Sequence, residues 1–128
     1  MEYIIIYKTK DFVSRTKKES LSDADFINAC REMSAGLYDS DLGGNVYKKR
    51  VAMGSKGKRA GYRTIVGAVI GDKYFFLYVF AKNARANINA KEKLALKELA
   101  KEFIQFSQSE LEQLVDDGEL LIVGDDHE

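Results

Sequence analysis

A single cysteine, Cys30, and a single histidine, His127, are all that the 128 residues hold of two much-used catalytic and metal-ligating side chains. One cysteine excludes an internal disulfide framework, and its neighbours Phe26, Ile27 and Met33 mark it as a core thiol. A zinc site draws on several His and Cys ligands, and here the one of each stands far apart, so neither metal nor cofactor is expected. His127 lies in the acidic end of the chain, where no Ser-His-Asp triad assembles around it. The phosphate-binding pattern GxxxxGK followed by Ser or Thr is also missing, since Gly54-Ser55-Lys56-Gly57-Lys58 has neither its spacing nor a following helix. No apolar run approaches the ~20 residues that span a bilayer. The start, Met1-Glu2-Tyr3-Ile4, has no basic segment of the kind that opens a secretory leader, so the expected location is cytoplasmic, away from membranes.

Net charge is absent as well, with twenty Lys and Arg against twenty Asp and Glu. The balance hides a split. Residues 46–91 carry eleven cations and one acid, Asp72, for a formal +10, which leaves nine cations and nineteen acids, or −10, elsewhere. Residues 108–128 alone hold eight acids and no Lys or Arg. Solvated faces are ordinarily mixed in sign, so a basic block of this size points to a polyanionic partner. Length and composition, 45% hydrophobic and 31% charged, fit one globular domain over 1–128 with an acidic C-terminal extension at 108–128.

The patterning predicts an α+β fold. Residues 3–7 read as a short β-branched and aromatic strand. A helix is expected over 11–19 with Asp11 as its cap, and a second over 23–35 with Ser22 as N-cap, acids in its first turn and Gly36 as its stop. Phe26, Ile27, Cys30, Met33 and Leu37 recur at helical spacing. Residues 38–45 read as a loop. Three strands then follow, 46–53, 62–70 and 73–81, with Gly71-Asp72 as a tight hairpin turn, giving an antiparallel meander whose aromatic third strand suits the centre of a sheet. Lysines on both faces of 46–53 suggest that one face meets solvent or ligand. Asn89 with Glu92 forms a capping box for a long helix over 89–106, with Leu96, Leu99, Ala100, Phe103 and Ile104 as its apolar stripe. Ser109 and Glu112 repeat that pattern before a short helix, 119–123 reads as an edge strand, and the last four residues are expected to fray. The expected core combines Phe75, Leu77 and Val79 with Leu96, Leu99 and Phe103.

Chemistry gathers around the turn between the first two meander strands. Gly54, Gly57 and Gly61 with Ser55 make it pliable, and Lys56, Lys58, Arg59 and Arg63 fall within eight positions. An antiparallel meander brings the start of 62–70 beside the end of 73–81, so Arg63 should meet the segment with Lys82 and Arg85 at one end of the sheet. Lys48 and Arg50 lie on the strand leading into the turn. Such a cationic cleft can hold a phosphodiester and stabilise the charge that develops on it. RNA carries its own nucleophile, the 2′-hydroxyl, so cleavage needs only a proton acceptor, a donor and cations; a lysine with its pKa lowered by neighbouring cations can be the acceptor. Arg63 also has a plainer reading, a surface ion pair with Asp72 or Glu92.

Two motifs together, Lys56-Gly57-Lys58-Arg59-Ala60-Gly61-Tyr62-Arg63 and Phe80-Ala81-Lys82-Asn83-Ala84-Arg85-Ala86-Asn87-Ile88, resemble those of RelE-type toxins of bacterial toxin–antitoxin systems, and among them the HigB-like subgroup. The resemblance covers roughly 46–123 and looser sequence before it. It implies a RelE-like sheet carrying two N-terminal helices and a long C-terminal one, and a ribosome-dependent, metal-independent mRNA endonuclease neutralised in a hetero-oligomer with a cognate antitoxin. It implies catalytic roles for Lys56, Lys58, Arg63 and Lys82, and RNA-binding roles for Lys48, Arg50, Arg59 and Arg85. Asn83 stands where the family carries an arginine, Ala84 where it carries an acid, and no tyrosine near Asn87 matches its later catalytic one, which leaves the general acid unassigned. Two other readings stay open: a toxin of the same fold that blocks a protein such as gyrase, and a nucleic-acid-binding module without chemistry.

Overall fold

Strand β5 (Lys73–Ala81) is buried on both faces, and every other element is arranged about it. The computed structural model describes residues 4–17, 21–51, 63–81 and 87–124, with 63–66 through their backbone. The remaining strands are β1 (Ile5–Thr9), β2 (Ser40–Gly43), β3 (Val46–Val51), β4 (Arg63–Ile70) and β6 (Leu120–Ile122). The helices are α1 (Lys10–Thr16), α2 (Asp23–Ser34), α3 (Ala90–Gln105) and α4 (Gln108–Asp116). The six strands form one sheet in the order β2-β3-β4-β5-β1-β6. The expected meander is there as β3-β4-β5, antiparallel throughout, while β1 joins β5 in parallel and β6 closes the edge antiparallel to β1.

The sheet separates two cores. On one face α1 and α2 bring Phe12, Phe26, Ala29, Cys30 and Met33 against Ile6, Val51, Tyr74, Phe76 and Val79. On the other, α3 and α4 bring Leu96, Ala100, Phe103 and Leu111 against Tyr7, Val46, Ala68, Phe75, Leu77 and Phe80. Phe75 stacks between Tyr7 and Phe103, with ring centroids 5.0 and 4.5 Å away. The α+β class, the two N-terminal helices and the long helix packed on the sheet are as expected.

Several expectations need correcting. Val79 does not share a core with Phe75 and Leu77. Val66 pairs with Tyr78 and Gly67 with Phe76, so Leu77 has no partner across β4 and bulges. A bulge puts one extra residue in the strand. Leu77 and Tyr78 therefore both serve the α3 face, and Val79 changes to the α1–α2 face. Gly67 permits this approach, because a Cβ there would lie 2.8 Å from the Phe75 carbonyl oxygen.

The 38–45 loop contains β2, joined to β3 through Gly44 and Asn45, at φ +62° and +67°; paired positive φ values make the kind of two-residue turn that suits strand twist. Thr9, not Asp11, caps α1, its Oγ1 accepting from Phe12 N–H at 3.1 Å. Ser107 with Glu110, rather than Ser109 with Glu112, forms the capping box of α4. The boxes at Ser22 with Asp25 and at Asn89 with Glu92 are present. Leu37 and Ile104, read as apolar-stripe residues, are 59% and 47% exposed, and Leu99 is half-buried. Tyr3 and residues 125–128 lie outside the described residues.

Candidate nucleic-acid interface

Antiparallel register decides which strand ends meet. Arg63 is the Cα partner of Val51 on one side and of Ala81 on the other. Both stems of the basic turn and the strand leading to Lys82 thus finish on one row, at one end of the sheet. Gly71 and Asp72 close the hairpin at the other end of the eight-residue β4, about 24 Å away at ~3.4 Å per residue. That distance removes Asp72 as a partner for Arg63. Asp72 instead lies 3.4 Å from the Lys73 ammonium.

The basic positions of β3 differ from one another. Lys48 is half-buried, in register with Val66. Arg50 is exposed, its Nε 3.4 Å from Asp39 Oδ2. Lys49 is only 8% exposed, and its Nζ meets Glu32 Oε1 of α2 at 2.6 Å. The expectation that one face of β3 meets solvent or ligand therefore fits the Lys48 and Arg50 face, while α2 covers the face of Lys49 and pairs its charge. Lys56, Lys58, Arg59, Lys82 and Arg85 lie outside the described residues, and Arg63 is described through its backbone.

A cluster not anticipated from sequence sits towards the same sheet end. Arg15, in the last turn of α1, lays its guanidinium 4.6 Å from the centre of the Tyr78 ring and accepts a second restraint from Asp11, whose Oδ2 lies 2.8 Å from Arg15 Nε. The Tyr78 hydroxyl donates to Glu92 Oε2 at 3.3 Å. The hydrogen bond to Asp11 holds the Arg15 guanidinium pKa above its ordinary value; partial desolvation opposes this, and the charges of Asp11, Tyr78 and Glu92 add to it. Only the Asp11–Arg15 spacing of four was legible beforehand. Elsewhere, burial first, then Asp41 and Tyr38, raises the Tyr47 phenol pKa above its ordinary value. Among the described residues, no helix is long and apolar enough to cross a membrane, and no group of three or more His, Cys, Asp or Glu side chains is arranged to hold a metal ion.

The family model of the RelE toxin of the RelE/RelB toxin–antitoxin system matches residues 4–123. No curated protein matches the chain. The match takes in all six strands and all four described helices, including both stems of the basic turn. The chain belongs to the RelE toxin family, as the toxin of a toxin–antitoxin system whose partner is a cognate antitoxin.

Proposed function

We propose that this toxin is a ribosome-dependent mRNA endonuclease of the HigB-like kind, acting without a metal. One observation carries the reading: the backbone register that aligns Arg63 with Val51 and Ala81, and so gathers the stems of both basic segments at one sheet end. Membership of a family known for ribosome-dependent RNases supports it. In the proposed reaction a lysine of the basic turn, Lys56 or Lys58, takes the proton of the 2′-hydroxyl, and the 2′-oxygen bonds to the adjacent phosphorus. The bond from phosphorus to the 5′-oxygen breaks, and that oxygen takes a proton from water, leaving a 2′,3′-cyclic phosphate and a 5′-hydroxyl, while the lysine returns its proton to solvent. Arg63 and Lys82 stabilise the charge that builds on the phosphoryl oxygens. Lys48, Arg50, Arg59 and Arg85 hold flanking phosphates.

The test is cleavage of mRNA on ribosomes, mapped by primer extension. Wild type should cut at discrete positions. Arg63→Ala should lose activity equivalent to ~2.7–4 kcal/mol, the usual cost of removing a donor to a developing oxyanion. Arg63→Lys should not restore it, because an ammonium cannot reproduce a bidentate fork. Of Lys56→Ala and Lys58→Ala, the one that removes the proton acceptor should lose cleavage, and the one that removes a phosphate-binding cation should flatten the salt dependence of binding, by ~0.7 in logarithmic slope per lost single-strand phosphate contact. Undiminished cleavage by the Arg63 variant defeats the site assignment. No cleavage by wild type transfers the case to gyrase-type inhibition or to binding without chemistry.

A further inference from the structure

Helix α3 turns one row of side chains, Leu96, Ala100 and Phe103, into the core. Beside it runs a second row that stays partly or fully exposed. Lys93, Lys97, Lys101 and Ile104 follow one another at intervals of four, four and three residues, and Leu94 precedes Lys97 by three. At ~100° per residue the five positions share about a third of the helix circumference, and at ~1.5 Å rise Leu94 and Ile104 lie roughly 15 Å apart along the axis. Leu94 is 63% exposed and Ile104 47%. Lys93, Lys97 and Lys101 make no ion pair among the described residues. The acids of α3 lie off the strip: Glu92 belongs to the capping box, while Glu98 and Glu102, four apart, sit on the solvent side. Lys97 marks the inner border. A Cβ at Gly43 would lie 3.2 Å from its Nζ and one at Gly44 3.4 Å from its Cγ, so the side chain runs along the turn between β2 and β3.

We propose that this strip of α3 docks an acidic segment of the cognate antitoxin whose apolar side chains cover Leu94 and Ile104. The occupant follows from the two features together. Three lysines without counter-charges call for acids, and charge complementarity of this kind steers and registers a partner. RNA phosphates would answer the lysines but leave two aliphatic side chains in water, whereas a peptide buries both and gains from it. A second copy of this chain would bring the exposed acids of α4, Glu110, Glu112, Asp116 and Asp117. That contact joins two different patches of the same molecule, so it propagates into open assemblies instead of closing. An antitoxin strand or helix closes the pair at once. The inference rests on family membership and on the make-up of α3, and is independent of RNA cleavage.

The probes are the purified cognate antitoxin and, separately, vacant ribosomes, each titrated against the full-length toxin. Leu94→Gln and Ile104→Gln keep good helix formers at exposed positions, so the melting temperature should stay close to wild type. Each should raise the antitoxin Kd by about fivefold or more, the loss expected of an apolar residue buried at the centre of a contact. The double variant Lys93→Glu, Lys101→Glu should slow association and remove most of the salt dependence of antitoxin binding. Lys97 is left in place because it packs on the β2–β3 turn. A measurement on the unaltered toxin runs alongside: acetylation of Lys93, Lys97 and Lys101, followed by mass spectrometry, should slow by about tenfold or more in the complex, as solvent leaves a buried patch.

Unchanged acetylation in the complex overturns the proposal, as does an antitoxin Kd indifferent to both aliphatic variants. Ribosome binding weakened by the lysine variant, with antitoxin binding intact, assigns the strip to nucleic acid and overturns it too. So does self-association of the toxin alone that the lysine variant abolishes, which makes the occupant a second copy. A wild type that does not cleave mRNA defeats the proposed reaction and leaves these readouts to decide the docking surface by themselves.

Discussion

The Lys49 ammonium sits beneath α2 with Glu32 Oε1 at 2.6 Å, while the Glu32 side chain itself is 49% exposed. The pair is asymmetric, so its two halves are not equivalent as mutation sites. Glu32→Ala leaves a buried cation without its acceptor and should cost about 1–3 kcal/mol in urea unfolding. Lys49→Met removes the charge along with the need for a partner and should be close to neutral or stabilising. Equal losses for the two variants would show that Lys49 gains little from burial. Cys30 gives a second residue-level test. Burial pushes its thiol pKa from 9.0 up to about 12. The unfolded chain releases that proton first, so the contribution is intact below about pH 9 and falls as pH rises from 9 towards 12. Cys30→Ala should remove that part of the alkaline decline; an identical pH profile for both proteins would refute the assignment.

Among the elements, α3 separates good sequence signals from ambiguous ones. Its Asn89 and Glu92 cap is local chemistry and was readable residue by residue. Its apolar stripe was readable only in part, because i, i+3 and i, i+4 spacing fits both the row of Leu96, Ala100 and Phe103 and a row displaced towards Ile104. The difference should appear in thermal or urea unfolding. Phe103→Ala, which removes the ring stacked 4.5 Å from Phe75, should cost ~3–5 kcal/mol, whereas Ile104→Ala should stay within ~0.5 kcal/mol. A similar ambiguity hid the cap of α4, since Ser107 with Glu110 and Ser109 with Glu112 have identical spacing. Strand β2 was illegible for a different reason: four residues, Ser40–Gly43, become a strand only because β3 lies beside them. The bulge at Leu77 escaped likewise, since nothing in a run of aromatics marks where alternation skips. For the candidate site, the meeting of β4's start with β5's end followed from hairpin geometry alone, while the Arg15–Tyr78–Glu92 contacts join residues too distant in sequence for any pattern to reveal.

At the scale of the molecule, the two ends of the described chain are tied into its middle. β6 pairs with β1, Val123 lies in the α1–α2 core, and Gly124 N–H donates to Asp23 Oδ2 at 3.2 Å at the start of α2. Deletion of 124–128 should therefore cost only about one modest hydrogen bond, ~0.5–1.5 kcal/mol. Deletion from 123 onward should add ~1.5–3 kcal/mol for the lost valine. Melting of the two truncations checks this, and equal stabilities would mean that Val123 contributes nothing to the core. The sheet order also bears on synthesis. β1 leaves the ribosome first, yet its neighbours are β5 and β6, the last two strands made. Translation adds ~5–20 residues per second, so roughly 2–8 s separate the completion of β5 at Ala81 from the arrival of β6 at Leu120. Throughout that interval the nascent chain already carries its basic turn while one edge of β1 stands unpaired. The β1 edge of the sheet therefore cannot be closed until β6 has been made.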